Sequence, residues 1–296
     1  MKPSFATVKG RPCLLGKVTR GMNLNEIQEK LELVTGKWWF LLIFTLLGTV
    51  TPPFVAKGYD PFKTGEVIMY ILRNALIHSF SPLYPLFKIA PIILVSALVL
   101  FGNRVGRIFS LYGGINYLLS AFLQGIAVTD EYGLGIVTGN VVQILVVASL
   151  WFWEALVNKS DFSPRKVPAA RYVVVPLAFL AFWYPMNPDS LKPDFNPTYL
   201  FTNAAGLAFC TMTPVYLGIL TLYYPKVNIA TLRVTSLAGM IIGFWNMVVN
   251  FLIEPHMWWN GVLHLPLVLI SIYAFALSFR KRDLEMRGNE LMRANQ

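Results

Sequence analysis

The stretch from Glu254 to Pro266 concentrates most of the chain's chemistry. It reads Glu254-Pro255-His256-Met257-Trp258-Trp259-Asn260-Gly261-Val262-Leu263-His264-Leu265-Pro266. Two of the three histidines lie here beside a carboxylate, and the third is His78. Imidazole and carboxylate suit several divalent ions. Glu254, His256 and His264, with His78 from a separate segment, therefore form an alternative metal set, and a histidine pair could hold a haem. The spacing matches no specific metal motif, so no cofactor is named. A histidine also exchanges protons near neutrality, which gives Glu254 and His264 a proton-handling alternative. The plainest reading is a corner between two helices, with Pro255 and Gly261 shaping the turn and Trp258 and Trp259 anchoring at a membrane interface.

Uncharged polar residues follow a helical rhythm nearby. Asn116, Ser120 and Gln124 are spaced by four, Asn140 and Gln143 by three, and Asn260 and His264 by four. Gly239, Gly243, Asn246, Asn250 and Glu254 form another such stripe. Spacings of three and four put side chains on one helix face. Such groups are costly in lipid and need partners or a wet cavity. The set therefore reads either as an outward-facing polar cavity or as hydrogen-bonding glue between helices, with Gly239 and Gly243 allowing close approach.

The elements that must position these residues are transmembrane helices. Of 296 residues, 55% are hydrophobic and only 14% charged, against about 25% charged in soluble domains. Mean hydropathy is +0.55. The sequence predicts an all-α integral membrane protein of about eight spans, at 38–56, 83–102, 107–128, 134–156, 171–185, 198–223, 229–253 and 258–279. The fifth is short. Glu154, at the inner end of the fourth, is expected to pair with a Lys or Arg of the next loop. Of the two cysteines, Cys13 falls in a basic segment and Cys210 in an apolar span, so a disulfide framework is excluded and Cys210 reads as a small packing residue.

Orientation follows Lys and Arg. With the N-terminus cytoplasmic, 5 of the 25 positive residues fall outside (Lys57, Lys63, Arg73, Lys88 and Lys192) and the others inside. Both termini are thus expected in the cytoplasm, with the chain in the plasma membrane (the inner membrane of a bacterial cell). The net charge of +10 is spread over short segments between apolar spans, which argues against nucleic acid as a partner. Residues 1–36 lack the apolar core of a signal peptide.

Two further segments are amphipathic. Leu24, Ile27, Leu31 and Val34 share a face, with Asn23 and Glu26 as a capping box, and predict an interfacial helix. Residues 65–80 predict an interfacial or re-entrant helix on the outer side. A weak internal repeat aligns Arg107-Ile-Phe-Ser-Leu-Tyr-Gly113 with Arg233-Val-Thr-Ser-Leu-Ala-Gly239. It suggests two parallel four-helix halves. The domain plan is then 1–36 cytoplasmic, 37–156 first half, 157–170 linker, 171–279 second half and 280–296 basic tail.

No P-loop, GxSxG, HExxH or dinucleotide-binding fingerprint occurs, so a membrane-embedded lipid enzyme is the weakest expectation. The leading one is a small-solute or ion transporter. Asn116, Gln124, Asn140, Gln143, Asn246, Asn250 and Asn260 would supply hydrogen bonds, Glu254 and His264 would handle charge, and Trp258 and Trp259 would gate or meet a cation. The alternative is a membrane subunit of a larger complex, holding a metal, haem, quinone or lipid-like cofactor and docking a soluble partner.

Overall fold

The computed structural model describes residues 23–294, with side chains up to Arg280. The basic segment 1–22 with Cys13, and the side chains of the basic tail, lie outside the described residues. The chain is mostly helical: α1 (Leu24–Thr35), α2 (Trp38–Val50), α3 (Thr64–Arg73), α4 (Tyr84–Phe101), α5 (Asn103–Gly125), α6 (Thr138–Val157), α7 (Val174–Trp183), α8 (Tyr199–Thr202), α9 (Phe209–Tyr223), α10 (Ile229–Val248) and α11 (Trp258–Ala294). A 3₁₀ segment, Leu76–Leu83, leads into α4, another, Ala169–Val173, leads into α7, and α10 continues as a π-helical turn, Val249–Ile253.

Among the described residues, four helical stretches are long and apolar enough to cross a membrane: Leu76–Phe101, Thr138–Val157, Ile229–Ile253 and Pro255–Arg280. A fifth arises if α1 and α2, bent by 72° at their junction, are one broken span. This marks a membrane protein but corrects the expectation of eight spans. The reason is length and polarity. Ala169–Trp183 and Phe209–Tyr223 have 15 residues each, about 22 Å at 1.5 Å per residue, against a hydrocarbon core of about 30 Å. α5 has the length, but Asn103, Arg104, Arg107, Asn116 and Gln124 dilute its apolarity. The expected span 198–223 is broken into α8, a 3₁₀ turn at Ala204–Gly206, and α9.

The purely α expectation is also corrected. Strands β1 (Phe54–Val55), β2 (Ile126–Thr129) and β3 (Gly133–Ile136) form an antiparallel sheet in the order β1-β3-β2, with Phe54 and Ile126 both opposite Ile136. Ile126-Ala-Val-Thr129 and Gly133-Leu-Gly-Ile136 favour the pleat, so α5 stops before residue 128 and α6 starts after 134. The amphipathic α3 lays Val67 and Ile71 on this sheet. A Cβ at Gly135 would come within 2.8 Å of Ile71 Cγ1, so only glycine lets α3 lie so close.

The core joins α5, α6, α9, α10 and α11. Trp151 is its centre, surrounded by Phe109, Tyr117 and Tyr216 at ring separations of 5.0–6.0 Å. Trp151 Nε1 donates to Thr235 Oγ1 (3.0 Å), and Gly113 makes room for its indole. Gly239 and Gly243 face Ser271 and Val268 of α11 at distances no Cβ would permit, as the glycine spacing predicted. The expected parallel repeat is not supported. α5 packs on α6, α10 on α11, α2 on α6 and α7 on α11, but α9 packs on α7 and α11, whereas α4 packs chiefly on α5 and α8.

Candidate functional site

The sheet end of the bundle carries an open groove of about 670 Å³. Arg73, His78, Pro188, Leu191, Ile253, Glu254, His256 and Met257 line it. Arg73 ends α3, and its Nη2 donates to Glu254 Oε2 across 181 residues of chain. Glu254 follows the π turn, where the wider helix re-aims the backbone before Pro255 starts a new turn. Such π turns recur at functional sites. His256 Nε2 lies 4.0 Å from the same carboxylate oxygen. Three of the four residues of the expected metal set therefore share this groove, but His264 does not line it. Among the described residues no group of three or more His, Cys, Asp or Glu is placed to hold a metal.

His264 faces the helix interior within a hydrogen-bonded chain. Its Nδ1–H donates to the Asn260 carbonyl (2.7 Å), and its ring meets Tyr184 edge-on at 6.0 Å. Tyr184 donates its hydroxyl to Asn260 Oδ1. Asn260 Nδ2 donates to Asn250 Oδ1 (2.8 Å), Asn250 to the Asn246 carbonyl (2.8 Å), and Asn246 to the Ile242 carbonyl (2.8 Å). Asn246 also reaches Cys210 Sγ at 3.8 Å. The residues on α10 and α11 that the spacing grouped are thus one connected network, joined by Tyr184 from the end of α7.

Next to Cys210 lies a small cavity of about 20 Å³, lined by Leu72, Gln124, Gly125, Asn140, Ile144, Phe209, Cys210 and Ile242. That is room for one water molecule. Gln124 turns its oxygen to the Phe209 N–H (2.9 Å), the first residue of α9. Gln124 and Asn140 are therefore brought together as expected, but the space between them does not admit a solute in this conformation.

The remaining expected residues line neither the groove nor the cavity. Asn116 donates to the Gly206 carbonyl (2.9 Å) and Gln143 to the Phe44 carbonyl (2.8 Å), each tying two helical segments together. Trp259 donates to the Pro185 carbonyl (2.8 Å) and packs on Phe195, while Trp258 is half exposed beside it. Glu154 does not pair with a loop cation. It accepts from the Ser160 N–H (2.8 Å) and Asn228 Nδ2 (2.8 Å), and Lys159 goes to Glu32 instead (2.6 Å).

That arrangement belongs to a polar cluster at the opposite pole, which sequence reasoning missed. Gln28 of α1 and Asn228 exchange amide hydrogen bonds (2.9 and 3.0 Å), and Trp153 Nε1 donates to Gln28 Oε1 (2.7 Å). Arg233 donates to the Glu32 carbonyl (2.9 Å), Thr35 Oγ1 (3.2 Å) and the Ser278 carbonyl (3.0 Å). So α1 is not only an amphipathic surface helix; its polar residues Gln28 and Thr35 are buried against α6 and α10. The signal was Gln28, a polar residue one position from the apolar Ile27. Lys88, assigned by its sequence to the outer surface, is also fully buried.

The fold and these features define a helical membrane protein with a charged groove at one pole and a polar lock at the other. Comparison with protein-family models, with characterised proteins and with solved structures finds no match to this chain.

Proposed function

We propose that the protein is a permease-like carrier for a small polar solute bearing an ionised group, loaded from the groove formed by Arg73, His78, Glu254 and His256. The observation that carries this reading is the stacking of three features. The groove supplies both signs of charge, the Asn260–Asn250–Asn246 network runs from beside it to Cys210, and the one-water cavity borders Cys210. Leu72 lines that cavity and its neighbour Arg73 lines the groove. Binding at a helix break between packed helices, followed by rearrangement around a fixed site, is how many carriers work. In this reading the conformation is closed between groove and cavity.

Sidedness is part of the proposal. Lys159, Arg165, Arg171, Lys226 and Arg233 gather at the pole of α1 through Asp161, Glu32 and the carbonyls of Tyr223 and Tyr224. The groove pole has Lys57, Lys63, Arg73 and Lys192. The more positive pole is taken as cytoplasmic, so both ends of the described chain approach the cytoplasm and the groove opens outward from the plasma membrane.

The test is a thermal-shift panel of small amino acids, carboxylates and inorganic phosphate on purified protein, followed by uptake into proteoliposomes. Stabilisation of the wild type that is lost in Arg73→Ala and Glu254→Gln is expected, with uptake impaired in Asn250→Ala and His264→Ala. Responses that persist undiminished in all four variants, or a wild type that neither binds nor moves any member of the panel, overturn the proposal.

A further inference from the structure

Lys88 lies in the first half of α4, within the apolar stretch Leu76–Phe101, and has no exposed surface. A charge so buried is expensive and needs a partner that explains it. Among the described residues no carboxylate lies within ion-pair distance of its ammonium. Nζ instead donates to the Phe182 carbonyl and lies 4.3 Å from the centroid of the Phe182 ring.

Phe182 belongs to the last turn of α7, and the helix ends there. Tyr184 takes a left-handed conformation (φ 54°) and its N–H closes on the Leu180 carbonyl (2.9 Å). The last carbonyls of a helix carry about half a negative charge and have no partner within the helix. Where they are buried in protein, water is not there to satisfy them. The protein supplies two donors in its place. Asn203 Nδ2 donates to the Trp183 carbonyl (3.0 Å), and Lys88 takes Phe182. The Ala204–Gly206 turn presses so near to the α4 backbone that a Cβ on Gly206 would lie 2.3 Å from the Phe87 carbonyl oxygen and 3.0 Å from the Lys88 backbone nitrogen.

A buried helix C-terminus, with carbonyls that need donors from outside the helix and an aromatic face, is the kind of place where broken-helix carriers hold a monovalent cation. We infer that the end of α7 is a monovalent-cation site and that the Lys88 ammonium is its tethered occupant. The site's ligand class is a small cation that can meet the Phe182 carbonyl and ring, as ammonium or methylammonium can. Resting on the carrier reading above, the cation at the broken helix is part of the chain, so that site needs no sodium ion.

The experiment removes the tether and returns the charge in solution. Lys88→Ala leaves a space the size of the side chain. Ammonium and methylammonium are expected to give the purified variant a saturable rise in melting temperature of several degrees. Tetramethylammonium at equal ionic strength should not, because it has no N–H to donate. Wild type and Lys88→Met, whose side chains fill the space, should not respond. No cation-specific rise in Lys88→Ala, or an equal rise in wild type, overturns the inference. Where Lys88→Ala does not accumulate, the yield of folded protein in cells supplied with methylammonium reads the same quantity. Restoration by methylammonium but not tetramethylammonium supports the site, and restoration by neither overturns it. Neither readout involves transport, so failure of the carrier reading and failure of this site are told apart.

Discussion

Asn228→Ala should be the most damaging single change at the pole of α1. The Asn228 side chain does three things at once. Its oxygen caps α10 by accepting from the N–H groups of Ala230 (3.1 Å) and Thr231 (3.3 Å). Its amide pairs with Gln28 and donates to Glu154. Loss of an N-cap costs about 1 kcal/mol. A buried amide left without its partner costs about 1–3 kcal/mol, and a hydrogen bond to a carboxylate is worth about 1.5–3 kcal/mol. Because the three terms share one network they do not simply add, and a net loss of about 4 kcal/mol is expected. Reversible unfolding of the protein in mixed micelles measures it. Hydrogen exchange measures where it falls: α1 amides should exchange faster, while those of α5 and α6 keep their protection. Asn228→Asp separates the causes, since it retains the cap but places a second carboxylate beside Glu154, and it too should be destabilised. A variant within about 1 kcal/mol of wild type, with α1 exchange unchanged, would refute the view that this network holds α1 in place.

Three other outcomes follow from particular contacts. Gly206→Ala puts its methyl 2.3 Å from a backbone oxygen that cannot swing away, and should lose about 3 kcal/mol in the same unfolding assay; Gly65→Ala, with open space at its Cβ, should be neutral or slightly stabilising. Arg73→Ala and Glu254→Gln should each change stability by under about 1 kcal/mol, because Arg73 is half exposed and such pairs contribute little; a larger loss would make the pair a structural clamp rather than a groove for a solute. Asp161 accepts hydrogen bonds from Ser163 and Asn103, with Lys226 alongside, and these hold its carboxyl well below the usual range. A depressed carboxyl stabilises the folded state above its unfolded pKa of about 3.9, and that contribution is lost as pH falls below it. Asp161→Asn should therefore lower stability at neutral pH and flatten the acid limb of the stability–pH curve, and an unchanged acid limb would contradict this.

Several features of the molecule were readable without coordinates because they depend on local chemistry. Apolar runs around 84–101, 138–157, 229–253 and 258–280 are helical because lipid leaves the backbone no other way to satisfy itself. Asn246, Asn250, Asn260 and His264 were groupable because helical spacing aligns them. Gly239 and Gly243 were legible as a close-approach stripe for the same reason.

What failed depended on partners far along the chain. The strands at 126–129 and 133–136 look like helix ends until α3 and Phe54 arrive to pair and cover them. Gln28 is unremarkable in a surface helix and becomes central only when Asn228, 200 residues away, completes its amide pair. Lys88 follows a run rich in Pro and aromatics, which reads as an outer boundary. Only the short α7, ending against α4, creates the carbonyl that draws the ammonium inward. Composition and periodicity thus determined that this is a helical membrane protein and which faces are polar. The tertiary structure alone decided which polar groups meet, because hydrogen bonds and charge contacts in a membrane are chosen by where helices end and cross, and a single stretch of sequence carries no record of that.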